Sequence, residues 1–213
     1  MTVLVCAAHA DDEVIGCGAT IAKLSKKEKV IVLIFSYGSS SAGSLTSWPP
    51  FMSNKELKQR RIYESEKAGH LLGVEKTIFL GIDSEIKEDF TSKHRKKILD
   101  IIEEYKPNKI FYHSSKDAHP DHHAVFEIME KIVPELNYKP EIFTFQINML
   151  DFSTEEPKII FDVSDEFNLK IKAMLNFKSQ IISILILSPL VLLKGWLYGK
   201  KHGFKFAEYF YGK

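Results

Sequence analysis

The sequence of 213 residues lacks an excess of charge of either sign, with 29 lysines and arginines against 28 aspartates and glutamates. A protein that binds nucleic acid through its phosphates needs a basic excess or a basic stripe. The balance therefore removes the electrostatic argument for a nucleic-acid partner. The apolar content of 45% is enough for a sizeable core, and the length is ordinary for one domain, so we expect a single domain over residues 1–213.

Cysteine is scarce, since only Cys6 and Cys17 are present. Both lie among apolar or small residues, which does not favour a structural disulfide and is simplest to explain by a reducing compartment. The first residues also lack a basic segment followed by an apolar stretch and a small-residue cleavage site, so no secretory signal is predicted. We therefore expect a cytoplasmic protein.

Long apolar runs are scarce too, and the exception is Ile181–Leu193. This run is shorter than the roughly 20 residues that span a bilayer, and Pro189 is expected to break it. A buried helix, a strand and turn, or a homo-oligomer interface would explain it. The alternative is contact with a membrane surface, which would make the protein peripheral to the membrane. The residues that favour this alternative, because they resemble an interfacial anchor, are Lys194, Trp196, Tyr198, Lys200 and Lys201.

Apolar strands alternate with amphipathic helices along the chain. The predicted strands are Thr2–Ala8, Lys29–Ser36, Thr77–Leu80, Lys109–His113 and Glu141–Ile147. The predicted helices are Asp12–Lys27, Asn54–Leu72, His94–Tyr105, Ala124–Ile132 and Val163–Lys178. This alternation predicts an α/β fold with a mostly parallel sheet and helices on both faces. Between the second strand and the second helix, Tyr37–Ser53 is rich in glycine, serine and proline, and such a long loop is usually functional.

Two clusters of ionisable residues follow strands of this predicted sheet. The first is His9-Ala-Asp-Asp-Glu13, and the second is His119-Pro-Asp-His-His123. Either cluster alone has an ordinary explanation, such as an acidic helix start favoured by the helix dipole. Sites in parallel sheets form beyond the carboxyl ends of the strands, so the two clusters together predict one bipartite metal site.

The residue types suit catalytic zinc, which commonly takes three protein ligands and leaves one position for water. His9 and Asp12 can converge on one ion from a turn that enters a helix, and His122 can supply the third ligand. Asp11 then remains free beside a ligand, where it can take a proton from a water molecule at the metal. His119 forms a second polar pair with Asp121.

A histidine oriented by a carboxylate can stabilise an oxyanion or protonate a leaving amine. The His119–Asp121 pair, added to the predicted metal ligands, therefore indicates a hydrolase of an amide or an ester. His113 ends a predicted strand and either supports this site or lies at the rim of the core.

These residues resemble the signatures of the LmbE-like, or PIG-L, family of zinc-dependent N-acetylglucosamine deacetylases. The resemblance extends over essentially the whole chain. The matching stretches are Ala8–Glu13 with Gly16 and Gly18, Arg61–Glu64, Ala68, Leu72–Gly73, His119–His122, Asp162–Asp165, Lys172–Ala173, Ser179–Gln180 and Phe206–Phe210.

The resemblance implies a Rossmann-like three-layer α/β/α sandwich and a set of residue roles. Zinc would be bound by His9, Asp12 and His122, although other divalent metals suit the same ligands. Asp11 would be the general base and the later proton donor. The remaining roles are oxyanion stabilisation or amine protonation by His119 with Asp121 tuning it, and substrate binding by Arg61 and by His123.

Two positions depart from the family pattern. Ala10 stands where the family usually has proline, which predicts a less rigid turn without loss of a ligand. His123 stands where relatives often have arginine, which would change contacts with an anionic part of the substrate. The expected partner is a small N-acetylated sugar or its conjugate. The alternatives are an amide hydrolase of a mycothiol- or bacillithiol-type conjugate and a non-catalytic metal- or sugar-binding module.

Overall fold

The computed structural model of the protein describes residues 1–38, 47–50, 52–83, 85–147 and 158–212. The strands are β1 Thr2–Ala7, β2 Lys29–Ser36, β3 Lys76–Ile82, β4 Lys109–His113, β5 Glu141–Phe145, β6 Lys158–Asp162 and β7 Ala207–Gly212. The helices are α1 Asp12–Leu24, α2 Asn54–Leu72, α3 Ile86–Asp89, α4 Ser92–Tyr105, α5 Pro120–Ile132, α6 Phe167–Met174 and α7 Ile181–Lys201, with short 3-10 helices at Val133–Glu135 and Lys178–Gln180.

The seven strands form one sheet in the order β3-β2-β1-β4-β5-β7-β6. The first five pair in parallel, and β7 is antiparallel to both of its neighbours. The chain runs outward from β1 to β3 and then returns to place β4 on the other side of β1. This confirms the predicted mostly parallel α/β sheet, and it creates a switch point between β1 and β4, where sites form in such folds.

Helices cover both faces of the sheet, as the strand pattern dictates. Side chains alternate along β1, so that Val3 and Val5 face one apolar layer while Leu4 and Cys6 face the other. Helices α1, α2 and α6 contribute to the first layer, and α4 and α5 to the second. Cys6 and Cys17 are both buried and free, in agreement with the expectation that they form no disulfide.

Helix α1 is interrupted at Cys17, whose φ of −142° is not helical. The interruption leaves backbone N–H groups of Ala19 and Thr20 to be satisfied elsewhere, and the carboxylate of Glu208 in β7 accepts both, at 3.2 and 2.7 Å. The same carboxylate lies 2.6 Å from the Lys170 ammonium of α6, and both side chains are buried. One charged group therefore joins three elements of the fold.

The structure differs from the sequence predictions towards the carboxyl terminus. Strands β6 and β7 were not predicted, and the helix predicted over Val163–Lys178 is shorter, because Asp162 Oδ1 accepts the Ser164 N–H at 3.0 Å and starts a turn. The predicted break at Pro189 is wrong, since α7 is continuous through it. In the predicted loop Tyr37–Ser53, residues 39–46 and 51 lie outside the described residues.

We expect Glu208→Ala to lower the free energy of unfolding by about 3–5 kcal/mol, because it leaves the Lys170 ammonium buried without its counter-charge. Chemical denaturation followed by circular dichroism measures this change. Asp100→Ala is the matched control, since it removes a carboxylate from the exposed Lys96–Asp100 pair and should change stability little. Equal effects of the two substitutions would contradict the structural role of Glu208.

Candidate active site

The two ionisable clusters meet beyond the carboxyl ends of β1 and β4, around the carboxylate of Asp12. Its Oδ2 accepts the His9 backbone N–H at 2.8 Å and lies 3.4 Å from His9 Nδ1. The same oxygen lies 3.1 Å from His122 Nε2 and 3.5 Å from His113 Nε2. The structure therefore brings together the three predicted metal ligands.

His9 is held from its other side by Asp121. His9 Nε2 lies 2.9 Å from Asp121 Oδ2, and Asp121 Oδ1 accepts the Ile86 N–H at 2.8 Å. The sequence predicts that this carboxylate pairs with His119 instead. That contact is absent from the described hydrogen bonds because His119 is the N-cap of α5, and its Nδ1 accepts the Asp121 backbone N–H at 3.2 Å.

His122 is held by a carboxylate that the sequence analysis did not single out. Asp117 Oδ1 lies 2.9 Å from His122 Nδ1, although the ring N–H is not aligned to donate a hydrogen bond to it, and Asp117 Oδ2 accepts the Ile147 N–H at 2.9 Å. Histidines that bind metals commonly donate their second ring N–H to a carboxylate, which fixes the ring and its tautomer. The sequence indicates this role for Asp117 only weakly, because it is a single aspartate two positions before His119.

His113 joins the two strands at the base of the site. Its ring is fully buried and stacks on the His122 ring, with centroids 4.0 Å apart. Its Nε2 accepts the Ala8 N–H at 3.1 Å, so this nitrogen already has a partner. Of the two interpretations left open for His113, the contacts favour support of the site.

The carboxylates set the charge of the histidines. Burial acts to lower the pKa of His9, but hydrogen bonds with Asp12 and Asp121 outweigh it and raise the pKa to about 9. Burial opposes the charged form of His122 as well, yet the charge of Asp12 and the contact with Asp117 raise its pKa to about 10. In this arrangement protons occupy the imidazoles, and a divalent cation would replace them.

Asp11 is buried beside this centre and has an unusual backbone. Its φ of 124° lies where side chains are rarely found, and such strain is concentrated at functional sites. Gln180 Nε2 donates to Asp11 Oδ2. Burial raises the pKa of Asp11 well above its usual value, and the charges of Asp12 and Glu13 raise it further. The position and environment suit a carboxyl group that holds a proton during a reaction.

Helix α2 fixes the segment that carries Gln180. The Glu64 carboxylate accepts the Ser179 N–H at 2.9 Å and the Ser179 hydroxyl at 2.5 Å. Glu64 and Ser179 are both buried. The contacts show how a residue in α2 can set the position of the amide that reaches Asp11.

Arg61, three positions earlier in α2, holds the chain that leaves β2. Its Nη1 donates to the carbonyl oxygens of Tyr37 and Gly38, at 2.9 and 2.5 Å. Gly38 has a φ of 59°, which strains any side chain, and a Cβ there would lie 2.2 Å from Arg61 Nη1 and would displace the guanidinium. The described contacts of Arg61 are thus with backbone, and its contact with a substrate stays a prediction.

The two remaining predicted residues are His119, which lies beside the histidines of the site, and His123, which is half exposed. The His119 ring centroid is 5.2 Å from that of His9 and 4.7 Å from that of His122. Burial and the positive charges of His122 and His9 lower the pKa of His119, so the ring is neutral, and with Nδ1 accepting, Nε2 is the donor. His123 is half exposed, with Nδ1 3.3 Å from Glu127, and its predicted contact with substrate also stays a prediction.

The donor atoms fit a divalent cation. Two overlapping groups have ligand atoms within 4.8 Å of one another, namely His9, His119 and His122, and Asp12, His113 and His122. The predicted set of His9, Asp12 and His122 is neither of these groups, but it shares two residues with each. It is the better candidate because Ala8 already occupies His113 Nε2, while carboxylates orient the rings of His9 and His122.

We expect Asp117→Asn to weaken zinc binding by about 10- to 100-fold, because an amide orients the His122 ring less strongly than a carboxylate. Competition with a chromophoric chelator measures the affinity. Glu127→Gln is the matched control, since it changes a carboxylate beside the exposed His123 and should leave the affinity unchanged. Wild-type affinity in Asp117→Asn would contradict this role.

The chain is similar to characterised proteins over nearly its whole length. It is 28% identical over 215 residues to the diacetylchitobiose deacetylase of Thermococcus kodakarensis, covering 94% of this chain and 78% of that protein. The structure of the N,N'-diacetylchitobiose deacetylase of Pyrococcus horikoshii superposes with a TM-score of 0.83 at 25% identity, covering all of this chain and 83% of that one.

The fold alone does not determine the reaction. The 4-carboxy-2-hydroxymuconate hydratase of Pseudomonas putida has a TM-score of 0.77 at 18% identity, covering 99% of this chain and 95% of that one. The assignment rests instead on the sequence profile of the PIG-L family, described as GlcNAc-PI de-N-acetylase, which matches residues 4–133. This match covers more than half of the chain, which therefore belongs to the PIG-L family of deacetylases, hydrolases of amide bonds.

Proposed function

We propose that the protein is a zinc-dependent hydrolase that removes the N-acetyl group from an N-acetylated amino sugar or its conjugate, releasing acetate and a free amine. The observation that carries the proposal is that the buried carboxyl of Asp11 lies next to Asp12. The Oδ2 of Asp12 in turn contacts both predicted histidine ligands, His9 and His122. The names of the two archaeal relatives, which are diacetylchitobiose deacetylases, support the sugar as the substrate class.

His9, Asp12 and His122 would hold the metal. When bound, zinc would polarise the acyl oxygen and make water more acidic at neutral pH. Other divalent metals suit the same donors, although zinc is the common choice for a set of two histidines and a carboxylate with an open position.

Asp11 and His119 would carry the proton and charge movements. Asp11 takes a proton from the attacking water as its oxygen bonds to the carbonyl carbon of the acetamide. The Nε2–H of His119 donates to the oxygen that gains negative charge. Asp11 then returns its proton to the amide nitrogen as the C–N bond breaks, so that acetate and the amine leave.

The same two residues argue against the non-catalytic alternative. A module that only binds metal or sugar requires neither a buried, strained carboxyl at Asp11 nor a neutral donor at His119. Backbone strain of this kind costs about 1–3 kcal/mol and persists where the surrounding structure fixes it. Here the Gln180 amide and the Glu13 carboxylate, which accepts the Asp11 N–H at 3.0 Å, provide that fixing.

Acetate release by the zinc-loaded protein tests the proposal directly. The substrates are a panel of free, nucleotide-linked, inositol-linked and lipid-linked N-acetylglucosamine compounds, each with and without chelator. We expect release from at least one of them, abolished by chelator and restored by zinc. Release that chelator leaves unchanged, or no release from any compound by a protein that binds stoichiometric zinc, would contradict the proposal.

The proposed roles predict that some substitutions lower turnover while zinc stays bound, and that others remove the zinc. Asp11→Ala and His119→Ala should each lower kcat by about a hundredfold or more while retaining zinc, because they remove groups that act on the reacting atoms. His122→Ala should lose zinc itself. Metal analysis and the acetate assay distinguish these cases, and His70→Ala on exposed α2 surface is the control. Loss of zinc in His119→Ala would make His119 a ligand instead.

A further inference from the structure

Helix α7 is predominantly apolar and yet largely exposed. A helix of this composition is expected in a core or in a membrane. Among the described residues it is the one helix that is long and apolar enough to cross a bilayer, but only 11% of its most apolar stretch is buried. The interpretation of Ile181–Leu193 as a buried helix is therefore wrong, and the outer face of α7 needs another explanation.

The exposed side chains form one continuous stripe along the helix. Ile186 is 65% exposed near one end, and Trp196 is 44% exposed near the other. The apolar residues of this outer stripe follow helical spacing and are Ile182, Leu185, Ile186, Pro189, Leu192, Leu193, Trp196 and Leu197. A contiguous apolar surface of this kind marks an interaction site.

The opposite face of α7 packs against the rest of the domain along the length of the helix. Ile184 belongs to the main core, and Gly195 lies so close to Phe167 that a Cβ would be 2.5 Å from the ring. A Cβ at Gly199 would lie 2.8 Å from the Cα of Phe206, and Gln180, just before the helix, reaches Asp11. Because both ends are held, α7 cannot cross a bilayer without the sheet following it. It can lie along a membrane surface.

The charge around the outer stripe indicates what covers it. The 30 residues from Lys178 to Ala207 contain no aspartate or glutamate, and their lysines are Lys178, Lys194, Lys200, Lys201 and Lys205. Helices that lie in the membrane interface combine an apolar face with flanking lysines and aromatic residues, as Trp196 and Tyr198 provide here. A second copy of α7 would oppose lysines to lysines, whereas an anionic lipid surface would complement them.

We propose that the outer stripe of α7 docks the protein lengthwise on an anionic lipid bilayer, with the helix in the plane of the interface. The aliphatic side chains enter the boundary between head groups and acyl chains, and the exposed Lys178, Lys200 and Lys201 contact the lipid phosphates. The docked surface begins at Ile182, two residues after Gln180, so the bilayer lies next to the active site.

Flotation with vesicles tests the docking without using activity. Wild-type protein should float with vesicles of phosphatidylcholine and phosphatidylglycerol, and less with phosphatidylcholine alone or at high salt. Ile186→Glu should lower the partition coefficient by about tenfold or more, because it places a carboxylate in the apolar stripe. Leu71→Glu, which changes an exposed leucine near the end of α2, is the matched control and should bind as the wild type does.

No flotation of the wild type, or equal flotation of Ile186→Glu and Leu71→Glu, would overturn the proposal, provided that circular dichroism shows both variants folded. Light scattering without lipid measures the oligomeric state and so tests the rival explanation, a dimer formed through α7. A wild-type dimer that Ile186→Glu converts to a monomer would show that a second copy of the chain covers α7, and would also overturn the proposal.

Discussion

The pairing of β1 with β4 in the middle of the sheet positions everything else in the site. Their parallel register, with Val5 opposite Phe111, brings the end of each strand to the same edge. The chain that follows β1 carries Asp12, and the chain that follows β4 carries His122. Two segments about 110 residues apart thereby supply candidate ligand atoms that lie 3.1 Å apart. Since the hydrogen bonds of the sheet fix this meeting point, the ligands need little flexibility.

The support behind those ligands comes from several other elements. Asp121 at the start of α5 and Asp117 in the preceding loop each hold one imidazole through one oxygen and a backbone N–H through the other. On the opposite side, Glu64 of α2 fixes the chain that presents Gln180 to Asp11. Carboxylates thus orient both the histidines and the residues near the predicted base, which is the arrangement that preorganised metal sites require.

The sequence was sufficient for the parts of the fold that local periodicity encodes. Strand β2 and helix α2 have the predicted bounds, and both His/Asp clusters follow their strands as expected. Asp117 was missed because a lone aspartate in a loop has no pattern, and its role depends on Ile147 and His122 coming from elsewhere. The contact of Asp121 with His9 was not predicted, because a sequence does not show which ring caps α5. Pro189 was expected to end a helix, but packing of Ile184 and Gly195 outweighs one missing hydrogen bond.

We infer that His9, Asp12 and His122 hold a divalent metal beside Asp11. Anomalous diffraction at the zinc edge from zinc-soaked crystals tests it most directly. We expect a single strong peak about 2.0–2.2 Å from one imidazole nitrogen of each histidine and from a carboxylate oxygen of Asp12, with one position left open. A peak ligated by His113 in place of His9, or full zinc loading with no peak between the two clusters, would contradict it.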